Sequence, residues 1–93
     1  MYSIIKEDER RGGELVALQE KLIKHYIGYD DFLSELKEIY VSAIDRAVNN
    51  DFMSEVKVLN EEYKEKYEDW HYRYFRDVKP AEFEPIKVET KEL

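Results

Sequence analysis

The chain has 93 residues, of which 15 are Lys or Arg, 22 are Asp or Glu and none is Cys, so its net charge is −7. This length suits one small domain. The absence of cysteine excludes a disulfide framework, a thiolate zinc site and thiol catalysis, and no apolar run reaches the ~18–20 residues of a membrane span. The charged first eleven residues are unlike a secretory signal. We therefore expect one soluble, cytoplasmic, acidic helical domain.

Apolar residues at helical spacing predict a first helix over residues 14–27. They recur every three or four positions and share one face: Leu15, Leu18, Leu22, Ile23, Tyr26 and Ile27. Gly13 suits the N-cap backbone, and Glu14 lies where the helix dipole favours an anion. Gly28 is expected to end the helix, because glycine readily takes the left-handed conformation of a C′ residue.

A second helix is predicted over residues 31–48. Its apolar side chains fit a helix and not a strand: Phe32, Leu33, Leu36, Ile39, Tyr40, Ala43, Ile44, Ala47 and Val48. Asp30 or Asp31 can cap its first turn. Asn49 and Asn50 tolerate a tight left-handed turn, and Asp51 can cap the next helix. A connection this short predicts that the second and third helices are antiparallel neighbours.

The third and longest helix is predicted over residues 52–77. One apolar stripe runs along it: Phe52, Val56, Leu59, Tyr63, Tyr67, Trp70 and Tyr74. The helix is expected to stop before Pro80, because the residue that precedes a proline is pushed out of helical geometry. Together the three helices predict an all-α, small antiparallel three-helix domain.

We expect a single domain, in which residues 14–77 form the helical core. Residues 1–13 are then an N-terminal segment and residues 78–93 an extended C-terminal tail. Both carry short apolar stretches, at 2–6 and 83–88, that can pair as a minor β-ribbon.

Two alternatives stay open for the start of the chain. One is a half-helix over residues 3–11 that breaks at Gly12 and Gly13. The other is a β-hairpin of residues 2–8 with 14–19, which the helix-favouring residues of the second segment disfavour. At the other end, we expect residues from 89 onwards to be frayed.

Helix lengths predict an aromatic end that the second helix leaves uncovered. At about 1.5 Å per residue, the third helix outruns the second by about 12 Å over residues 70–77. That segment is too apolar to lie in water, so either the terminal segments (2–5 and 83–88) or a partner must cover it. Tyr, Trp and Arg are enriched at interface centres. The predicted partner-binding residues are therefore Trp70, Tyr72, Arg73, Tyr74, Phe75 and Arg76.

Carboxylates crowd the exposed face of the third helix: Glu55, Glu61, Glu62, Glu65, Glu68 and Asp69. Such a face is usually solvated. In an alternative interpretation it mimics nucleic acid and competes for a basic groove on an enzyme. Direct binding of nucleic acid is not expected, because these acids oppose the field that nearby basic residues would need.

Catalytic and metal patterns are weak. His71 follows Glu68 at the E-x-x-H spacing of di-iron bundles, but those bundles need the pair twice and it occurs here once. Neither a glycine-rich phosphate loop nor a serine with a histidine at a helical neighbour position is present. We expect no enzyme activity, no cofactor and no metal site.

The sequence thus predicts a small acidic, non-enzymatic protein–protein interaction module that acts as a stoichiometric inhibitor, adaptor or regulatory accessory factor. Its partner is expected to be another protein or a second copy of the chain, with no membrane contact. The alternative is a nucleic-acid-mimicking inhibitor of the phage or mobile-element type. A third hypothesis is a self-assembling structural protein.

Overall fold

A computed structural model of the chain describes residues 2–88. They form three α-helices, α1 (Ile4–Ile23), α2 (Tyr29–Asn49) and α3 (Ser54–Tyr74), and residues 2–88 contain no strand. The predicted all-α three-helix fold is confirmed. The β-ribbon of the two terminal segments does not form within these residues. The frayed end predicted from residue 89 lies outside the described residues.

α1 begins ten residues earlier than predicted and runs unbroken through Gly12 and Gly13. Ser3 caps it, since its backbone is extended and its Oγ accepts a hydrogen bond from the amide N–H of Lys6 at 3.3 Å. Gly13 is therefore not an N-cap. The half-helix alternative was right about a helix before the glycines and wrong about a break at them.

Ion pairs to the other helices hold the first half of α1 in place. Arg46 of α2 donates from Nε to Glu7 Oε1 at 2.7 Å, and Arg11 donates from Nε to Glu62 Oε2 of α3 at 2.7 Å. A glycine in a helix interior costs about 1 kcal/mol relative to alanine. These contacts, each between residues far apart in sequence, offset that cost.

Both helix connections use a non-glycine residue in the left-handed conformation. α1 ends at Ile23, four residues before the predicted end, because His25 has a φ of 59° and its N–H donates to the carbonyl of Leu22. Asp51 has a φ of 64° and closes α2 in the same way. Each is the C′ residue of a Schellman motif. Gly28 is instead the N-cap of α2, so the predicted stop at that glycine was wrong.

Two predicted caps were also wrong. Neither Asp30 nor Asp31 caps α2; both lie in its first turn, where the helix dipole favours anions. Asp51 does not cap α3, which begins after Met53 without a side-chain cap.

α2 is the central helix and lies antiparallel to both neighbours. One of its faces supplies the middle of the core: Phe32, Leu36, Tyr40, Ala43, Ile44 and Ala47. α1 adds Leu15, Leu18 and Leu22, and α3 adds Leu59, Tyr63, Tyr67 and Trp70. α1 and α3 each pack along α2 but approach one another at few points, so a groove runs between them on the side away from α2.

The segment after α3 turns back and runs extended along α2 and α3. The Phe83 ring lies 4.9 Å from the Tyr63 ring, and Asn60 pairs with the backbone of Ile86 through two hydrogen bonds of 2.8 and 3.0 Å. Tyr2 lies at the opposite end of the domain, stacked on Phe52 at 4.6 Å. The prediction that both termini cover the aromatic end is therefore wrong for the N-terminal segment.

No helix within residues 2–88 combines the length and the apolar character that a bilayer crossing requires.

Candidate partner-binding surface

The aromatic overhang predicted over residues 70–77 does not exist. α2 starts two residues earlier than predicted, and α3 ends three residues earlier, at Tyr74. The first turn of α2 therefore lies beside the last turn of α3. The Phe75 ring stacks on Phe32 at 5.2 Å and meets the Tyr29 ring edge-on at 5.2 Å. The first turn of α2 therefore covers the end of α3.

The six predicted partner-binding residues separate into two groups. Trp70 is only 3% exposed, and Tyr74 and Phe75 are half-buried, with the Tyr74 hydroxyl accepting a hydrogen bond from Gln19 Nε2 at 3.2 Å. These three side chains pack inside the domain. The other three form an exposed patch at the end of α3: Tyr72, Arg73 and Arg76.

Short contacts order this exposed patch. The Arg76 guanidinium lies 4.6 Å from the centre of the Tyr72 ring, a cation–π contact. Arg73 Nε donates to Asp69 Oδ1 at 3.1 Å. For these exposed residues, partner binding stays a prediction.

The predicted acidic face does not act as one unit. Glu62 turns inward to an ion pair, Glu55 is half-buried and Asp69 pairs with Arg73. Glu61, Glu65 and Glu68 stay exposed and share one side of α3, and no ion pair involves them within residues 2–88.

A partly buried ionic cluster joins the three helices at the floor of the groove. Arg11, 8% exposed, donates from Nε to Glu62 Oε2 and from Nη2 to Asp8 Oδ1, both at 2.7 Å. The hydroxyl of the fully buried Tyr40 donates to the same Glu62 oxygen at 2.6 Å. This cluster fixes the spacing of α1 and α3.

Within the cluster, the pKa values of Arg11 and Tyr40 are both raised. Burial lowers the pKa of Arg11, but the hydrogen bonds and charges of Glu62 and Asp8 outweigh it and raise that pKa above its ordinary value. Burial, together with the hydrogen bond to Glu62, raises the pKa of Tyr40 well above that of a free tyrosine.

The α1/α3 groove has this cluster in its lining, is open to solvent and has a volume of about 670 Å³. Its walls are apolar in part and acidic in part. Ile4, Asp8, Arg11, Gly12 and Leu15 line it from α1, and Glu55, Val58, Glu62, Glu65 and Lys66 line it from α3. Lys66 leans over the Trp70 ring at 5.5 Å.

An exposed apolar stripe borders the groove along α1. We call Ile5, Gly12, Val16 and Ile23 the α1 stripe, because spacings of seven, four and seven residues place them on one line of the helix. The Ile5 side chain is 71% exposed, Val16 is 56% exposed and Ile23 is 58% exposed. Gly12 belongs to both the stripe and the groove lining.

Sequence reasoning missed this surface because it began the first helix at residue 14. That start left Ile5 and Gly12 outside the helix, and it assigned Ile23 to the core face. With the helix continued through the two glycines, the same periodicity places Ile5, Val16 and Ile23 on one line, away from Leu15 and Leu18.

The side chain of His71 contacts the backbone of the segment that follows α3. Its Nε2 lies 2.7 Å from the carbonyl oxygen of Val78, which ties down the turn after α3. Residues 2–88 contain no group of three or more His, Cys, Asp or Glu side chains arranged to hold a metal ion.

Comparisons of the chain with protein-family models, with curated proteins and with solved structures give no match.

Proposed function

We propose that the chain is a non-enzymatic protein–protein interaction module that binds one partner through the α1 stripe and the α1/α3 groove, as a stoichiometric inhibitor, adaptor or regulatory accessory factor. The observation that carries the proposal is the α1 stripe itself. In a chain that is 40% charged, Ile5, Val16 and Ile23 form a line of exposed apolar side chains beside an open groove.

The physical gain from covering this surface is substantial. Burying an exposed Val or Ile side chain is worth about 1.5–3 kcal/mol. Three such side chains in one line provide the apolar centre of an interface, and the acidic rim provides the polar border that interfaces have. The exposed Tyr72, Arg73 and Arg76 lie beyond the groove lining, which ends at Lys66 on α3.

The chemistry of the groove supports binding over catalysis. Its polar groups bond to one another, and Tyr40 and Arg11, which are protonated at neutral pH even as free side chains, have pKa values raised further, by burial for Tyr40 and by the bonds to Glu62 and Asp8 for Arg11. General acid–base catalysis needs a group that titrates near the working pH.

Site-specific photo-crosslinking in the source cell tests the proposal. A photoreactive residue placed at Val16 is expected to form one dominant adduct with one other protein. The matched control is the same residue at Ala17, which is also exposed but lies about 100° further round α1. No adduct at position 16, or the same set of adducts at both positions, contradicts the proposal.

A second candidate function rests on Glu61, Glu65 and Glu68. These three exposed carboxylates share one side of α3, and they support the alternative of a nucleic-acid mimic that occupies a basic groove. The Val16→Ser variant separates the two functions. A mimic complex weakens steeply between 50 and 500 mM salt and is insensitive to Val16→Ser, whereas binding through the α1 stripe is weakened by Val16→Ser.

A further inference from the structure

We infer that the occupant of the α1/α3 groove is a basic amphipathic helix of a partner protein, which lies along the groove as a fourth helix. This inference rests on the proposed function and names the chemistry of the partner. Three properties of the groove support it: its shape, its apolar line and its charge.

The shape of the groove suits a helix. α1 and α3 lie side by side over α2 with few contacts to one another, which leaves the position that a fourth helix occupies in a bundle. The groove lining spans Ile4 to Leu15 on α1, about 17 Å, and the α1 stripe continues along α1 to Ile23, about 27 Å from Ile5 and the length of an 18-residue helix. No atom lies within 4 Å of the position that a Cβ would take on Gly12, so a docked backbone can approach α1 closely there.

The apolar line fits one face of such a helix. Ile5, Val16 and Ile23 present branched side chains along α1 at the border of the groove, and the half-exposed Val58 lines the groove from α3. A helix with apolar residues at positions i, i+3, i+4 and i+7 presents a matching stripe.

The charge of the groove selects a basic partner. Four carboxylates line it, against two cations. Arg11 pairs with two of those carboxylates, Glu62 and Asp8, and Lys66 lies over Trp70, so Glu55 and Glu65 carry the excess negative charge of the lining. Lysines or arginines on the flanks of a docked helix therefore meet excess negative charge.

The same charges disfavour a second copy of the chain. An antiparallel pair of α1 helices that matched Ile5 with Ile23 of the second copy would also match Gly12 with Val16. It would, however, bring Glu9 close to Glu20 of the second copy and join two chains of net charge −7. Like charges at such positions are destabilising, so a basic partner is favoured over self-association.

Titration of the ¹⁵N-labelled full chain with synthetic helical peptides tests the inference. The probe is an 18-residue peptide with Leu along one face and Lys elsewhere, and its twin carries Glu in place of every Lys. The chain has three glycines, whose amide signals report on two places: Gly12 and Gly13 on α1, and Gly28 at the connection to α2. We expect the Lys peptide to shift the Gly12 and Gly13 signals with saturation at one to one, while the Gly28 signal stays and the Glu twin produces no shift.

Two neighbouring glycines give a matched pair of variants. Gly12 lines the groove, whereas Gly13 is displaced about 100° around the helix and does not line it. Gly12→Gln and Gly13→Gln both replace a helix-interior glycine by a good helix former, so circular dichroism should show both variants folded. We expect Gly12→Gln to weaken peptide binding at least tenfold and Gly13→Gln to change it less than twofold.

Several results would overturn the inference: equal binding of the Lys and Glu peptides, equal effects of the two glutamine variants, shifts centred on Gly28, or a wild-type chain that sediments as a dimer. A partner crosslinked at Val16 together with no binding of the Lys peptide leaves the proposed function standing and refutes the basic helix. Absence of crosslinking at Val16 counts against the proposed function itself.

Discussion

Replacing a glycine by alanine should raise the free energy of unfolding at Gly12 and Gly13 and lower it at Gly28. Gly12 and Gly13 lie in the interior of α1, and a Cβ added at either has no atom within 4 Å. Alanine therefore adds no clash and removes the glycine penalty of about 0.8–1.0 kcal/mol per site. We expect the double variant to gain about 1.5–2 kcal/mol in free energy of unfolding.

Gly28 provides the opposite case. It is the N-cap of α2, with φ −87° and ψ −178°, a position at which alanine is much poorer than glycine. Gly28→Ala should therefore lower the free energy of unfolding, by about 0.5–1 kcal/mol.

Urea titration followed by circular dichroism measures all three variants, and the thermal midpoint gives an independent reading. For a domain of this size, a gain of 1.5–2 kcal/mol raises Tm by roughly 6–15 °C. A loss of stability in Gly13→Ala would mean that Gly13 is an N-cap, as the sequence first suggested, and that α1 is not continuous. A gain in Gly28→Ala would refute the position assigned to that residue.

The remaining predictions concern the cluster of Arg11, Glu62 and Tyr40 and the helix ends. Glu62→Ala leaves the Arg11 guanidinium bonded to Asp8 alone, and because the Glu62 side chain is 30% exposed we expect a loss of roughly 2–3 kcal/mol in urea unfolding; a loss below 0.5 kcal/mol would contradict the cluster. Above about pH 10 the unfolded chain ionises its tyrosines while Tyr40 stays protonated in the fold, so stability should fall as pH rises. Tyr40→Phe should make that fall shallower between pH 9 and 11, and an unchanged slope would count against a raised pKa. His25→Gly and Asp51→Gly relieve the strain of a left-handed backbone at φ 59° and 64°, so each should raise the free energy of unfolding by about 0.5–1 kcal/mol, measured by thermal unfolding. No gain would show that the connection has another conformation.

The sequence predicted the helical character, the number of helices and most of the core. Leu18, Leu36 and Leu59 follow helical spacing in segments with strong propensity, so the middle of each helix was found although the ends were not. Local pattern suffices there, because burial of one face is the main source of helix stability in a folded domain.

Helix ends were harder to predict, since contacts distant in sequence decide them. Gly12 and Gly13 are poor helix formers, and local reasoning stopped the first helix at them. The bonds from Arg11 to Glu62 and from Arg46 to Glu7 span 51 and 39 residues, and no local window contains them. The predicted overhang failed for a related reason. The length of the overhang was calculated as the difference between two helix lengths. Every residue by which a helix end was misplaced therefore changed that length by about 1.5 Å, and the errors at several ends added up.

The candidate surface could not be found from the sequence for the same reason. Ile5 and Val16 share a line only if α1 is continuous across the two glycines. Of the residues that the sequence did propose, Tyr72, Arg73 and Arg76 are exposed, whereas Trp70 is buried and Tyr74 and Phe75 are half-buried against the core.

The central position of α2 has a consequence for cooperativity. Because α1 and α3 each depend on α2 far more than on each other, the α2/α3 hairpin with its returning C-terminal segment can persist while α1 opens as a separate unit. Only the cluster of Arg11 with Glu62 and the bond from Gln19 to Tyr74 link α1 to α3 within residues 2–88 by hydrogen bonds. Amide hydrogen exchange in α1 should therefore be the fastest of the three helices. A ligand that spans α1 and α3 would slow that exchange by joining two units that the chain alone couples weakly.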